Sequence, residues 1–442
     1  MTDQPYLIAQ TIVDATAALS PEKPLPGGDE RWQDFTAGRG DRVTTLMTRL
    51  LQSHTDDFHR LVFSSHRGAG KTTELNQLAQ ALQNKYKTIY IEANVEMHPH
   101  DIEIEDLLLV MAQIIDQVMR EEQLQLPQKL LFDIASWFGQ TIKTTSVGTT
   151  YLGQLETHIQ AKAGVPYFSK LMANLKALFK TESTHKTEVK EVLRKFPKTL
   201  AEAVNKLLDA ANEKLKNKNQ ELLVIIDNLD RYPPQVIDTL ISRNAERFKS
   251  LHCHFILTPP INLYYRPESE NLEQNYRCFT MPTIKLRQAG QPYDHFAGPG
   301  HDLLLKALAK RINLEKLVPE PKTQDRLVFG SGGSIRNLLE LAQDASLEAD
   351  GDFIVLEDVN RALSRHRSRL RNRINALGLM QALVHISHTK QLDEGEPYRQ
   401  ALYYRLAFMY NGAGWYDIHP LISELDEFKQ AHADHQTNPP TT

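Results

Sequence analysis

Three short apolar runs without polar alternation stand out along the chain: Leu61-Val62-Phe63-Ser64-Ser65, Leu222-Leu223-Val224-Ile225-Ile226 and His254-Phe255-Ile256-Leu257-Thr258. A strand covered on both faces reads this way, because neither side needs to face water. A fourth extended run, Thr88 to Asn94, follows a helix predicted over 72–83. Strand, loop, helix and strand in that order open a parallel α/β sheet.

Between 101 and 219 the strand pattern is absent. Leu108, Met111, Ile115 and Val118 recur at three and four, which predicts one buried face of a helix over 101–121. Its acidic start (Asp101, Glu103, Glu105, Asp106) suits a helix N-terminus. Further helices are predicted over 168–180, 186–196 and 199–215, with a Thr- and Gly-rich loop at 141–153. At the start of the chain a helix is expected over 6–19, then a Pro- and Gly-rich turn from Pro21 to Gly28 and a helix over 43–51. After Pro259-Pro260 the strand signal fades, and helices are predicted over 303–312, 334–347, 352–390 and 398–406. A hairpin follows, with strands 406–410 and 415–419 about the turn Asn411-Gly412-Ala413-Gly414. From about Gln430 the composition predicts a disordered tail.

At 442 residues the chain has room for about three domains. Its net charge of −4 advertises no nucleic acid or acidic surface. No apolar run approaches the ~18 residues of a membrane span, and the first residues do not read as a secretory signal. Two cysteines, Cys253 and Cys278, exclude a disulfide framework and a zinc quartet. The expected setting is cytoplasmic, with no membrane partner. Charge changes the picture in two places. Residues 170–219 hold 12 Lys/Arg against 6 Asp/Glu, a net +6, read as a solvated helical face in preference to a nucleic-acid or partner face. Six arginines (361, 365, 367, 369, 371 and 373) fall within 13 residues of helix and spread around its axis. They could pair with carboxylates, hold phosphate backbones or serve a neighbouring subunit's nucleotide. His252 with His254, and His385 with His388, lack the further ligands a metal site needs.

The strongest chemical signal is Ser65-His66-Arg67-Gly68-Ala69-Gly70-Lys71-Thr72-Thr73, directly after a strand and opening a helix. Gly68 and Gly70 let successive N–H groups face one anion, Lys71 can reach β- and γ-phosphates, and the Thr72 hydroxyl can ligate Mg²⁺. Ser65 departs from the usual first glycine. A second element, the strand ending Ile226-Asp227-Asn228-Leu229-Asp230, brings a carboxylate to the Mg²⁺ water shell through Asp227, and Asp230 is the residue available to orient the attacking water. Together these residues predict bound ATP or ADP with Mg²⁺.

This pair of motifs resembles the STAND, NACHT and KAP-type branch of P-loop ATPases, close to AAA+. NACHT-type sites carry a small residue after the Mg²⁺-directed Asp and an acidic one two positions further on. Asp230 matches the second, while Asn228 is larger than the first. Thr258-Pro259-Pro260-Ile261, Ser331 to Leu339, Tyr410-Asn411-Gly412 and Trp415 to Pro420 are similar to a group of bacterial ATP-binding proteins of similar length, to which no pathway attaches. The resemblance implies Thr258 as a sensor-1 residue, Arg336 as a sensor-2 arginine on a helical lid, and Arg39 with Gly40 beside the adenine. It implies an α/β P-loop NTPase with a parallel three-layer sheet, a helical insertion, a helical AAA+-like lid and a winged-helix-like C-terminus. The expected boundaries are 1–57 for the N-terminal segment, 58–100 with 220–265 for the core, and 101–219 for the insertion. The lid is expected at 266–350, the winged module at 351–429 and the tail at 430–442. The function implied is a slowly hydrolysing switch. Lacking room for a large effector domain, it would act through a homo-oligomer or partner proteins, and such relatives often serve bacterial antiviral defence. The alternative is a DNA-bound AAA+ regulator or loader of the replication or transposition type, less favoured because a winged module in STAND ATPases is commonly an internal clamp.

Overall fold

The computed structural model describes residues 7–53, 57–142, 166–181, 183–266, 269–293, 295–411 and 414–437. Tyr6, most of the 141–153 loop, Gly412, Ala413 and the last five residues lie outside them. The chain divides into two compact units. One gathers 1–47, 64–80 and 280–442, and the other 48–63 and 81–279.

The second unit carries most of the sheet. Strands β1 (Arg60–Ser65), β2 (Tyr86–Glu92), β3 (Glu221–Asp227), β4 (His254–Leu257) and β5 (Arg277–Met281) take the order β2-β3-β4-β1-β5. β2 with β3, β3 with β4 and β4 with β1 pair in parallel. β3 and β4 are buried at nearly every position, which is why their sequences show no alternation. β5 escapes the sequence pattern. It is a short edge strand, Arg-Cys-Phe-Thr-Met, and only its last residue is fully buried.

The helical insertion is as expected, with helices Ile104–Glu121, Pro166–Phe179, Thr184–Arg194 and Pro197–Lys216, and a helix Gln128–Ile142 that the pattern does not announce. The first is shorter than predicted because Glu103 caps it, closing a reciprocal box with Asp106. The basic excess of 170–219 is largely neutralised inside this unit. Lys190 bridges Asp106 at 2.7 Å, Lys186 bridges Asp101 at 2.7 Å, Lys218 bridges Glu122 at 2.9 Å, and Arg194 grips Glu103. Burial pushes the Asp106 carboxyl up to about 6 against the pull of Lys190. The basic stretch is therefore the complement of the acidic 96–122 segment.

The first unit packs helices Gly300–Ala309, Pro321–Ser331 and Ile335–Glu348 into one core with the N-terminal helix and the start of Leu356–Leu377. The N-terminal helix runs only from Ile12 to Ala18, with Thr11 as its cap. The single helical stretch predicted over 352–390 is two helices, because Gly378 takes the left-handed conformation that ends Leu356–Leu377 before Met380–Thr389 begins. Helix Glu396–Tyr403 then leads into the antiparallel hairpin β6 (Ala407–Tyr410) and β7 (Trp415–Ile418). The order is winged-helix-like. Where a tail was expected, a helix runs from Asp426 to Thr437. Among the described residues no helix is long and apolar enough to cross a membrane.

Candidate nucleotide site

Strand β1 feeds the chain into the loop, and the helix Lys71–Ala81 receives it. Gly68 and Gly70 hold φ of +86° and +95°, a left-handed curl that side chains resist. Gly68 is needed for space as well, since a Cβ there would stand 2.7 Å from the Cβ of Arg336. Two donors from the Ser334 helix start close on this turn: the Arg336 N–H reaches the Gly68 carbonyl at 3.1 Å and the Ser334 hydroxyl the same oxygen at 3.4 Å. Ser331 to Ser334 earns its sequence here. Gly332 ends one helix in the left-handed region, Ser334 caps the next, and a Cβ on Gly333 would overlap the Ile284 carbonyl.

Arg39 is buried beneath the loop. Its guanidinium bridges Glu74 at 2.8 Å, donates to the Ala69 carbonyl at 2.9 Å and lies over the Phe35 ring at 5.5 Å. It ties the loop to its own helix, a bracing contact the sequence did not announce. The turn region 21–28 has a matching task. The Leu25 N–H donates to the Thr73 hydroxyl at 3.3 Å, Asn76 donates to the Leu25 carbonyl at 2.8 Å, and the Gly28 N–H reaches Gln77 at 3.0 Å. Lys71 opens the helix and is only 6% exposed. The Ser65 hydroxyl donates to the His66 carbonyl at 3.1 Å.

His66 faces the winged module. Its Nε2 accepts the Met409 N–H at 2.9 Å and its ring meets Phe408 edge-on at 5.2 Å. Nδ1, which must then carry the proton, is buried and turned toward the Leu402 backbone. Burial pushes the imidazole down to about 3, and does the same to His419. Both rings stay neutral in the fold at pH values where an unfolded histidine is protonated. Their contribution is thus complete above about 6.5 and is lost as pH falls toward 3. At pH 5 each should cost ~2 kcal/mol, from 1.36 kcal/mol per pKa unit. We expect denaturant titrations at pH 7 and 5 to differ accordingly. A variant with His66 and His419 replaced by Gln should lose most of the difference.

The other unit holds the second motif. Asp227 ends β3 fully buried, with Thr258 Oγ1 donating to one carboxylate oxygen at 2.9 Å and the Asn228 N–H to the same oxygen at 2.7 Å. The Tyr90 hydroxyl donates to the other oxygen. Tyr90 is a residue the motif pattern missed; it lies in the predicted extended run 88–94, which the structure pairs with β3. Asn228 sits at φ +64°, a conformation that Asn tolerates better than most residues, which explains how it replaces a small one. Asp230 is buried in the short helical turn Leu229–Arg231. Asp227 ends β3 and Thr258 directly follows β4, two strands that pair in parallel. Among the described residues no cluster of three His, Cys, Asp or Glu could hold a metal, and His252 and His254 turn instead to Asp209 and to the His59 N–H.

The fold defined by this sheet, loop, lid and winged module is that of a P-loop NTPase. In keeping with it, residues 50–258 match the KAP family P-loop domain. No curated protein matches the sequence. Among solved structures, the Aeropyrum pernix Orc1 protein in complex with DNA is similar at 13% identity and a TM-score of 0.40, covering 94% of this chain and 97% of that one. Cdc6p from Pyrobaculum aerophilum is similar at 11% identity and a TM-score of 0.37, covering 95% and 98%. Likenesses this distant carry no functional argument.

Proposed function

We propose that the chain binds ATP with Mg²⁺ on Ser65–Thr73 and works as a slowly hydrolysing switch of the STAND/AAA+ kind. The observation that carries this reading is the double clasp on the loop, by the Arg336 N–H on Gly68 and by the Met409 N–H on His66. Whatever occupies the loop must be felt by the lid helix and by the winged hairpin. The lack of any ion-pair partner for Arg67 and Arg336 among the described residues fits a loop that binds an anion.

In this reading Ser65, His66, Arg67, Gly68, Ala69 and Gly70 wrap the phosphates, with Lys71 on the β- and γ-phosphates and Thr72 and Thr73 at the helix start. Arg39 keeps the loop in shape beside the adenine. Mg²⁺, if bound with the nucleotide, would supply charge neutralisation on the phosphates. Thr72 and Asp227 would hold it. Thr258 and Tyr90 fix the Asp227 carboxylate, Asp230 orients water, and Arg336 makes lid closure depend on the γ-phosphate.

Output through an oligomer or partner proteins, in a cytoplasmic and defence setting, is the reading carried forward over the DNA-bound regulator. One observation favours that choice. Four of the six arginines on that helix have carboxylate partners: Arg361 and Arg365 on Glu348, Arg367 on Glu424 at 2.6 Å, and Arg371 on Glu427 at 3.0 Å. The test is the nucleotide released on denaturing freshly purified protein, together with ATP titration of stripped protein. We expect close to one adenine nucleotide per chain or micromolar ATP affinity. Protein that releases none and binds none would sink the reading.

A further inference from the structure

Arginines near the loop fall into two groups. Those on Leu356–Leu377 mostly have carboxylate partners. Arg67 and Arg336, unlike Arg39 beneath the loop, do not. Arg67 stands in the loop, exposed, and Arg336 stands on the lid helix with its backbone on Gly68. Neither has an ion-pair partner among the described residues. The Arg405 guanidinium reaches toward the same lid helix and donates to Asn337 at 3.3 Å, the residue after Arg336. Arg373 lies behind it, donating to the Tyr404 carbonyl at 3.2 Å with its guanidinium 5.8 Å from the Tyr404 ring centre.

Two costs coincide at Arg405. Its backbone is left-handed, at φ +61°, in the turn where the Arg405 N–H bonds Leu402 and the Leu406 N–H bonds Ala401. Glycine or asparagine would take that turn more easily. Its side chain, half-buried, also feels like charges. Burial chiefly holds its pKa below the usual arginine range; Glu340 opposes that, and the guanidiniums of Arg67, Arg373 and Arg336 add to it. A strained backbone presenting a cation to three other cations is expected where an anion completes the arrangement.

Resting on the proposed nucleotide reading, and going beyond its assigned residues, we propose that Arg405 is a phosphate-reading residue supplied by the winged module. With Arg67 from the loop and Arg336 from the lid, it encloses the terminal phosphate of a nucleoside triphosphate. The contact is a recognition step with no bond made or broken. With a triphosphate bound, the three guanidiniums share one multiply charged anion and hold lid, loop and winged module together. With a diphosphate the anion is one phosphate shorter, the guanidiniums repel, and the helix-to-hairpin turn bearing Arg405 is the element released.

The experiment compares ATPγS and ADP affinities, each with Mg²⁺, for the full chain and for Arg405→Gly, Arg405→Lys and Lys71→Ala. Arg405→Gly should weaken ATPγS by about 10- to 100-fold, the loss of one charge-assisted contact, while ADP stays within about threefold. The melting temperature of the nucleotide-free variant should hold or rise, because glycine relaxes both the turn and the repulsion. Arg405→Lys should fall between. Equal losses for both nucleotides, unchanged affinities, or a less stable free variant would each overturn the proposal and leave Arg405 a structural residue. If wild type binds neither nucleotide and Lys71→Ala behaves identically, the nucleotide reading falls, and this proposal with it.

Discussion

Replacing Lys71 by methionine is expected to reduce ATP affinity by roughly 100-fold or more with the nucleotide-free protein still folded. The lysine opens the helix Lys71–Ala81 directly after the curled Gly68-Ala69-Gly70 turn and is 6% exposed. Its ammonium can make two charge-assisted hydrogen bonds to the β- and γ-phosphates. Such bonds are worth about 1.5–3 kcal/mol each, and two of them give the expected factor. Methionine keeps the stem's packing and removes the charge, so a loss of affinity cannot be blamed on a cavity. Calorimetric titration of ATP and a thermal melt of the nucleotide-free variant measure the two quantities independently. A loss below about fivefold would mean that the loop's backbone donors carry the affinity and that Lys71 serves the fold. Loss of affinity together with a lowered melting temperature would mean that the substitution disturbed the Arg39–Glu74 brace beneath the loop.

How much of this was legible in the sequence depends on the range of each interaction. The loop, β1, β3 and β4 announce themselves because a fully buried strand and a glycine-rich turn are local patterns. Asp227 follows from its strand, and the hairpin from its turn residues. β5 did not, since an edge strand of five mixed residues carries no such pattern. The N-terminal turn 21–28 reads only as a loop until its Leu25 and Gly28 are seen on the loop's helix. The resemblance implies Arg39 on the adenine side, and its contacts to Glu74 and Ala69 are visible only in the fold. The tie between His66 and Met409 spans most of the chain, and no periodicity encodes it. Arg405 is the clearest case. In sequence it is one basic residue in a helix-to-strand turn, and its meaning comes from a positive φ and from three cations on other elements.

The position of the winged hairpin on the loop should hang on one carboxylate, and Asp417→Ala is expected to be the most destabilising single substitution in this unit. Asp417 in β7 is fully buried. It takes the Arg287 guanidinium and the Lys390 ammonium, the latter at 2.9 Å, on one oxygen. The other oxygen accepts the Tyr293 hydroxyl and the Ile418 N–H, each at 2.9 Å. Arg287 in turn stacks over the Tyr293 ring at 4.0 Å. Removing the carboxylate strands two cations in a half-closed interior, a change worth about 3–5 kcal/mol. For a unit of this size we expect the melting temperature to fall by about 10 °C. Asp417→Asn should fare little better, because it keeps the shape and the Tyr293 bond but not the charge. Replacing Arg287 and Lys390 by methionine together with Asp417→Leu should recover much of the loss, since the penalty lies in unpaired charge and not in lost volume. The damage should also reach the loop. The Thr283 N–H holds the Met409 carbonyl at 2.9 Å while the Met409 N–H holds His66, so a hairpin loosened at Asp417 releases the histidine two residues into the phosphate motif. Asp417→Ala should therefore weaken nucleotide binding without touching a phosphate contact, and the triple variant should restore it. A melting shift under about 2 °C, or full affinity in an unstable single variant, would show that the loop is held by the lid alone.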